Sequence, residues 1–248
     1  PAQKVQASPN ITDIRKFFSL LKNAKKPIVI LGGNNWNDKI CRDFQRFAEK
    51  ANLPVACAFR YQHLFDNKHN LYVGDVGIGI NPNLATTIRE SDLIVALGAR
   101  LGEITTGGYN LISCPIPKQE LVHIYPGAEE LGKVYQPTLA INASPTAFVS
   151  SVKNFKTIPV IKSKHVAQAR SQYLNWSSKL KQSSGVNLGK IVIWLNENTP
   201  PNTIITNGAG NYSAWVHRYY KYRGFGTGLA PTSGSMGYGT PAALSAKL

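Results

Sequence analysis

Acidic residues are scarce in this 248-residue chain and nearly vanish towards its end: residues 151–248 hold 12 Lys/Arg against one Asp/Glu, whereas residues 1–150 hold 16 against 12. The formal charge of +15 is therefore a local excess. In the 162–190 region the cations (Lys162, Lys164, Arg170, Lys179, Lys181, Lys190) are separated by Ser and Gln. That reads as a solvated linker and helix, not as a stripe that tracks a phosphate backbone, so no nucleic-acid partner is expected. Cysteine is equally sparse. Cys41, Cys57 and Cys114 show no C-x-x-C spacing, which excludes a disulfide scaffold and a zinc ribbon and makes a reducing, cytoplasmic compartment the default. No apolar run approaches the ~18–20 residues of a membrane span, and no secretory leader is visible. The only methionine is Met236. With no initiator at Pro1, and with Pro241–Leu248 reading as a helix cut off after about two turns, both ends are expected to be truncations.

Catalytic signatures of several common classes are missing too. His63, His69, His123, His165 and His217 lack metal-ligand spacing, and there is no Gly-x-Ser-x-Gly elbow, so neither a zinc nor a serine hydrolase has an anchor. The histidines are expected at the polar surface. Asp75 and Glu103 follow glycines but have no paired acid, and both are expected to be solvated.

What is present alternates between helical and strand periodicity. Ile14, Phe17, Phe18 and Leu21 form an i, i+3, i+4, i+7 stripe within 12–24, with Thr12 as the N-cap candidate. The run Ile28–Leu31, ending in Gly32-Gly33, reads as a strand buried on both faces of a parallel sheet. A helix over 38–51, a strand over 54–58, a long polar connection, a helix opened by Asn81-Pro82, and strands at 93–98, 121–124 and 138–142 complete a Rossmann-like, doubly wound parallel α/β domain over 1–155. Residues 156–186 read as a linker carrying one helix. A second α/β domain opens at 187–248, with a helix from Leu188 stopped by Pro200-Pro201 and a strand at 203–206.

Two turns in this second unit carry the chemistry. Ser233-Gly234-Ser235-Met236-Gly237-Tyr238-Gly239-Thr240-Pro241-Ala242-Ala243 sets three glycines before a helix start, with Thr240 as cap and Pro241 in the first turn. Such a loop lets main-chain N–H groups approach an anion. The order is neither the dinucleotide G-x-G-x-x-G nor a P-loop, and glycine spacing alone is equally compatible with an empty turn. The other turn, Asn207-Gly208-Ala209-Gly210-Asn211-Tyr212, follows the strand; Asn207-Gly208 is also compatible with a tight hairpin.

The first of these segments closely resembles the Gly-Thr/Ser-Met-Gly-x-Gly-x-Pro-Ala-Ala stretch of the acetolactate synthase-like thiamine-diphosphate enzymes. The resemblance implies that Met236 is an apolar wedge holding the cofactor bent, with Gly234 and Gly237 beside it and the Gly234 carbonyl on the aminopyrimidine. It also implies that Gly210, Asn211 and Tyr212 meet the diphosphate, where family members have Gly-Gln-His. Lys26-Pro27 with Gly32-Gly33, Arg46–Glu49 with Leu53-Pro54-Val55, and Asp92-Leu93-Ile94 with Gly98-Ala99-Arg100 are similar to the family's central domain, which in some members binds FAD or an adenine nucleotide. Tyr125 stands where many relatives have Asp, so a carboxylate for a ribose hydroxyl is missing.

The implied parent is a 2-keto acid decarboxylase or carboligase, a transferase or lyase, using thiamine diphosphate and Mg2+ and assembled as a homodimer or homotetramer. The family's activating glutamate and its Gly-Asp-Gly…Asn metal motif do not occur within these residues, so this stretch holds no catalytic or metal residue and is expected to be inactive alone. The alternative is a stand-alone nucleotide- or flavin-binding α/β module without catalysis. A basic interaction protein is a third reading, marked by salt-sensitive nucleic-acid affinity.

Overall fold

Helix α1 (Ile11–Asn23) starts where the Asn10 side chain accepts the Asp13 N–H at 2.8 Å, and it buries Ile14, Phe17, Phe18 and Leu21. The cap is thus Asn10 and not Thr12, because extended Asn10 leaves the chain free to turn while Thr12 already lies in the first turn. A computed structural model describes residues 6–155, 157–162, 164–178, 180 and 185–248. Strand β1 (Pro27–Leu31) leads to α2 (Asp38–Ala51), capped by Asn37 and ended by left-handed Asn52. Then come β2 (Val55–Cys57), β3 (Tyr72–Asp75), α3 (Pro82–Arg89), β4 (Leu93–Leu97), β5 (Glu120–Tyr125), β6 (Leu139–Asn142) and α4 (Pro145–Val152).

All six strands are parallel, in the order β3-β2-β1-β4-β5-β6. This is the doubly wound, Rossmann-like class read from the sequence, and it places a topological switch between β1 and β4. Alternate residues of each strand feed opposite layers. Val29, Leu31, Val95 and Leu97 join α1, α2 and α4 on one face. Ile28, Ile30, Ile94 and Ala96 join α3 on the other. The Asp92 carboxylate accepts the N–H groups of Lys25 and Lys26 at 2.6 and 2.8 Å, so the starts of β1 and β4 are clamped together.

Two elements depart from the sequence reading. The polar connection after β2 contains edge strand β3, and α4 follows β6, opened by Ser144 as cap and Pro145 in the first turn. Among the described residues no helix is long and apolar enough to cross a membrane.

Helix α5 (His165–Ser178) packs across the β3 edge, where Tyr173 meets the Tyr72 ring edge-on at 5.0 Å. Arg170 is not the solvated cation that the sequence suggests. It is instead 9% exposed and donates to the carbonyls of Asn67, Tyr72 and Lys68 at 2.8–3.0 Å, because these carbonyls lie in the loop before β3 and at the start of that edge strand, where no further strand supplies donors. Beyond it lie α6 (Leu188–Asn198), β7 (Ile205–Thr206), α7 (Ser213–Tyr219), β8 (Gly228–Leu229) and α8 (Gly239–Lys247). Strands β7 and β8 pair in parallel over a small core of Val192, Tyr219, Tyr220 and Tyr222. Asn207-Gly208 therefore leads into α7 and not into a hairpin. Thr240 does not cap α8. The helix already begins at Gly239, whose carbonyl is held by the Thr206 hydroxyl at 3.0 Å.

Arg170→Met is expected to lower stability by about 2–4 kcal/mol in urea unfolding, since it orphans buried carbonyls; a loss under about 1 kcal/mol would contradict the strap. Asp43 lies on α2. It accepts from Lys153 and Lys39, both at 2.8 Å, and those bonds hold its carboxyl down at about 2. The folded state thus binds this proton less tightly than the unfolded chain, so the stabilisation is complete above the ordinary carboxylate range and disappears as pH falls through the folded value. Asp43→Asn should lower the urea midpoint at neutral pH, and the gap to wild type should close between about pH 4 and pH 2; a gap persisting below that window would refute the assignment.

Candidate functional site

The carboxyl ends of β1 and β4 open a crevice at the switch point because their exits are glycines. Gly33 and Gly98 have φ of +68° and +70°, and a side chain on Gly33 would lie 2.0 Å from the Gly98 carbonyl oxygen. Only glycine permits that approach. A cleft of about 440 Å³ lies there, bounded by Asn34, Phe59, Arg100 and Tyr125 and closed on the far side by Thr232 and Ser233 of the second unit. Arg100 does not point a free charge into it, since its Nε donates to Glu130 at 3.0 Å. Among the described residues no carboxylate lines the cleft.

The second unit supplies the two glycine turns. In the first, the Gly208 N–H donates to the Tyr212 hydroxyl at 2.7 Å and the Gly208 carbonyl accepts from the Asn207 side chain at 2.9 Å. Gly210 and Asn211 are exposed at its tip, and the Tyr212 ring lies against the main chain of Gly208 and Gly210. In the second, Gly234 and Gly237 have φ of +77° and +75° with nothing within 4 Å of a notional side chain. Met236, between them, is 92% exposed and fills no core. The fold brings both turns together: a side chain on Gly239 would meet the Gly208 nitrogen at 3.1 Å. Sequence reasoning assigned no role to the side chains of Thr206 or Arg60, whose guanidinium donates to the Pro231 and Gly208 carbonyls.

Three other residues sit differently from expectation. His123 is buried on β5 with Nε2 3.1 Å from the Ala99 carbonyl, and His217 is buried on α7 against the Phe59 ring at 5.2 Å. Neither is a surface histidine, because each lies on the inward face of its element; burial, and then Arg60, push His217 down to about 4. Asp75 is not a solvated loop acid. It ends β3, where burial raises its carboxyl to about 7 against the pull of Lys221. Burial likewise brings Lys221 down to about 7, and its amine donates to the Tyr173 hydroxyl at 2.8 Å. Glu103 is exposed, as expected.

Residues 14–152 match the model of the thiamine pyrophosphate enzyme central domain. The chain belongs to that family. Over 258 residues it is 24% identical to the acetolactate synthase large subunit of Corynebacterium glutamicum, covering 100% of this chain and 40% of that protein. It is 25% identical to the chloroplastic acetolactate synthase 1 of Nicotiana tabacum (96% of this chain, 36% of that one). With the acetolactate synthase isozyme 1 large subunit of Escherichia coli K12 the identity is 26%, over 95% of this chain and 41% of that one. The similarity thus runs past the matched domain into the two glycine turns, although the chain spans only about two fifths of these relatives' length.

A family crevice without a carboxylate for ribose hydroxyls should hold adenine nucleotides or FAD poorly. Calorimetry is expected to give a Kd weaker than about 0.1 mM; micromolar affinity would contradict this.

Proposed function

We propose that the chain is part of a thiamine-diphosphate-dependent enzyme acting on 2-keto acids, a decarboxylase or carboligase akin to the acetolactate synthases, and that Gly210, Asn211, Tyr212, Gly234, Met236 and Gly237 are its share of the cofactor site. The observation that carries this reading is Met236: a large apolar side chain held in the open between two left-handed glycines, beside a second exposed glycine turn. A methionine serving the core would be covered. The residues present fit the group. Asn211 offers amide donors, and because the Tyr212 oxygen already accepts from Gly208, its O–H remains to donate to a phosphate oxygen. The open face of Gly234 and Gly237 admits a ring system without steric conflict.

When bound, thiamine diphosphate supplies a nucleophilic thiazolium carbon for attack on the keto carbonyl. This chain's contribution would be positional: Gly210, Asn211 and Tyr212 would hold the diphosphate, the Gly234 carbonyl would accept from the aminopyrimidine amine, and Met236 would support the cofactor as an apolar wedge and exclude water. No Gly-Asp-Gly occurs in the 248 residues. In this reading the Mg2+ ligands and the activating glutamate come from elsewhere in a cytoplasmic homodimer or homotetramer, and these residues alone are inactive.

The test is 31P line broadening of millimolar thiamine diphosphate with Mg2+ by the chain. Broadening is expected with wild type and should fall about tenfold in Gly237→Val, which cannot hold a positive φ. Met236→Ala should leave the thermal midpoint unchanged, since an exposed side chain loses no burial, yet weaken binding. Absence of broadening by wild type, or equal broadening by Gly237→Val, would overturn the assignment.

A further inference from the structure

Arg60 leaves the end of β2 with φ +66°, a conformation that costs a non-glycine residue about 1–2 kcal/mol. It is 6% exposed, its guanidinium lies 4.6 Å over the Phe59 ring, and among the described residues it makes no ion pair with a carboxylate. A buried cation without a counter-ion is expensive, and filling the same volume with an aliphatic chain would avoid the cost. What the guanidinium has instead is two main-chain carbonyls from separate segments: Nη1 donates to Pro231 and Nη2 donates to Gly208 at 3.3 Å.

Each carbonyl continues into one glycine turn. The Pro231 oxygen also accepts the Gly234 N–H at 2.9 Å, so the bond from Arg60 lands on the anchor of the methionine loop. The N–H of the same Gly208 residue donates to the Tyr212 hydroxyl oxygen at 2.7 Å, so the second bond lands on the anchor of the diphosphate turn. A planar fork with two Nη atoms fixes the spacing of two carbonyls, which a single ammonium cannot do.

We propose that Arg60 is a positioning residue: a strap from the central domain that sets the distance between the two glycine turns, and through them the separation of diphosphate and aminopyrimidine contacts. This rests on the cofactor reading above for its purpose, though not for its geometry. Arg60 touches neither the cofactor nor the substrate in this scheme. It acts through Gly208 and Pro231.

The experiment compares wild type, Arg60→Met and Arg60→Lys by amide hydrogen exchange, with thiamine diphosphate affinity measured in parallel. In Arg60→Met, exchange at the Gly208 and Gly234 amides is expected to rise at least about tenfold, while β1 and β4 amides keep their protection. Arg60→Lys should restore protection at one of the two amides and not at both. A uniform rise through β1 and β4 would mean that Arg60 merely supports the fold, and unchanged exchange at Gly208 and Gly234 would mean that there is no strap; either overturns the proposal. If Arg60→Met does not fold, Arg60→Lys decides alone, since recovery of both amides to the wild-type rate contradicts a two-point fork. Wild type that binds no thiamine diphosphate would sink the cofactor reading, whereas the exchange pattern still decides whether the strap exists.

Discussion

The structure depends on one constraint: two central strands, β1 and β4, run side by side in the same direction with both faces covered, so their main chains can leave the sheet only at its ends. Parallel register sends Gly32-Gly33 and Gly98 out together, and the close approach at Gly33 lets the two exits diverge into a crevice without losing packing beneath. From this edge Ala58 and Phe59 also emerge from β2, with Arg60 beside them, and the second unit is seated against it. The crevice and the seat of the two glycine turns are thus two consequences of one strand alignment.

Part of the chain's positive charge is an internal feature. Arg170 and Arg60 are both buried, and the Nη groups of both donate to main-chain carbonyls beside aromatic rings in place of acids, while their Nε atoms are left without a partner. Carbonyls at chain turns have no ladder partner and must find donors. A guanidinium supplies several at once, in a fixed plane. That arrangement couples the units directionally: Arg170 fixes α5 to the β3 edge, and Arg60 fixes two turns of the second unit to the end of β2.

Much of this was legible in the residues. Short apolar runs ended by glycine mark β1 and β4, and the helix read over 38–51 matches α2 to the residue. Strand β3 was not legible, because Tyr-Val-Gly-Asp is short, holds a glycine, and gains its place only by pairing with β2 under α5. Helix α4 was missed although Ser144-Pro145 is a good start, since eight residues carry a weak periodic signal. Among the residues proposed for the cofactor, the glycines announce themselves by spacing and Met236 by the family resemblance. Arg60 and Thr206 could not, because a side chain that bonds main-chain oxygen leaves no partner residue to be read, and Arg60 adopts a backbone angle that nothing in its side chain encodes.

The family assignment covers the sheet, while the cofactor assignment concerns the two turns that overhang it. Backbone amide chemical shifts followed during titration with thiamine diphosphate and Mg2+ separate these directly. The account predicts that the largest perturbations fall on Gly208, Gly210, Asn211, Gly234 and Gly237, with Gly33, Gly98 and Arg100 little affected. Perturbations concentrated at the latter three, with the two turns silent, would contradict it.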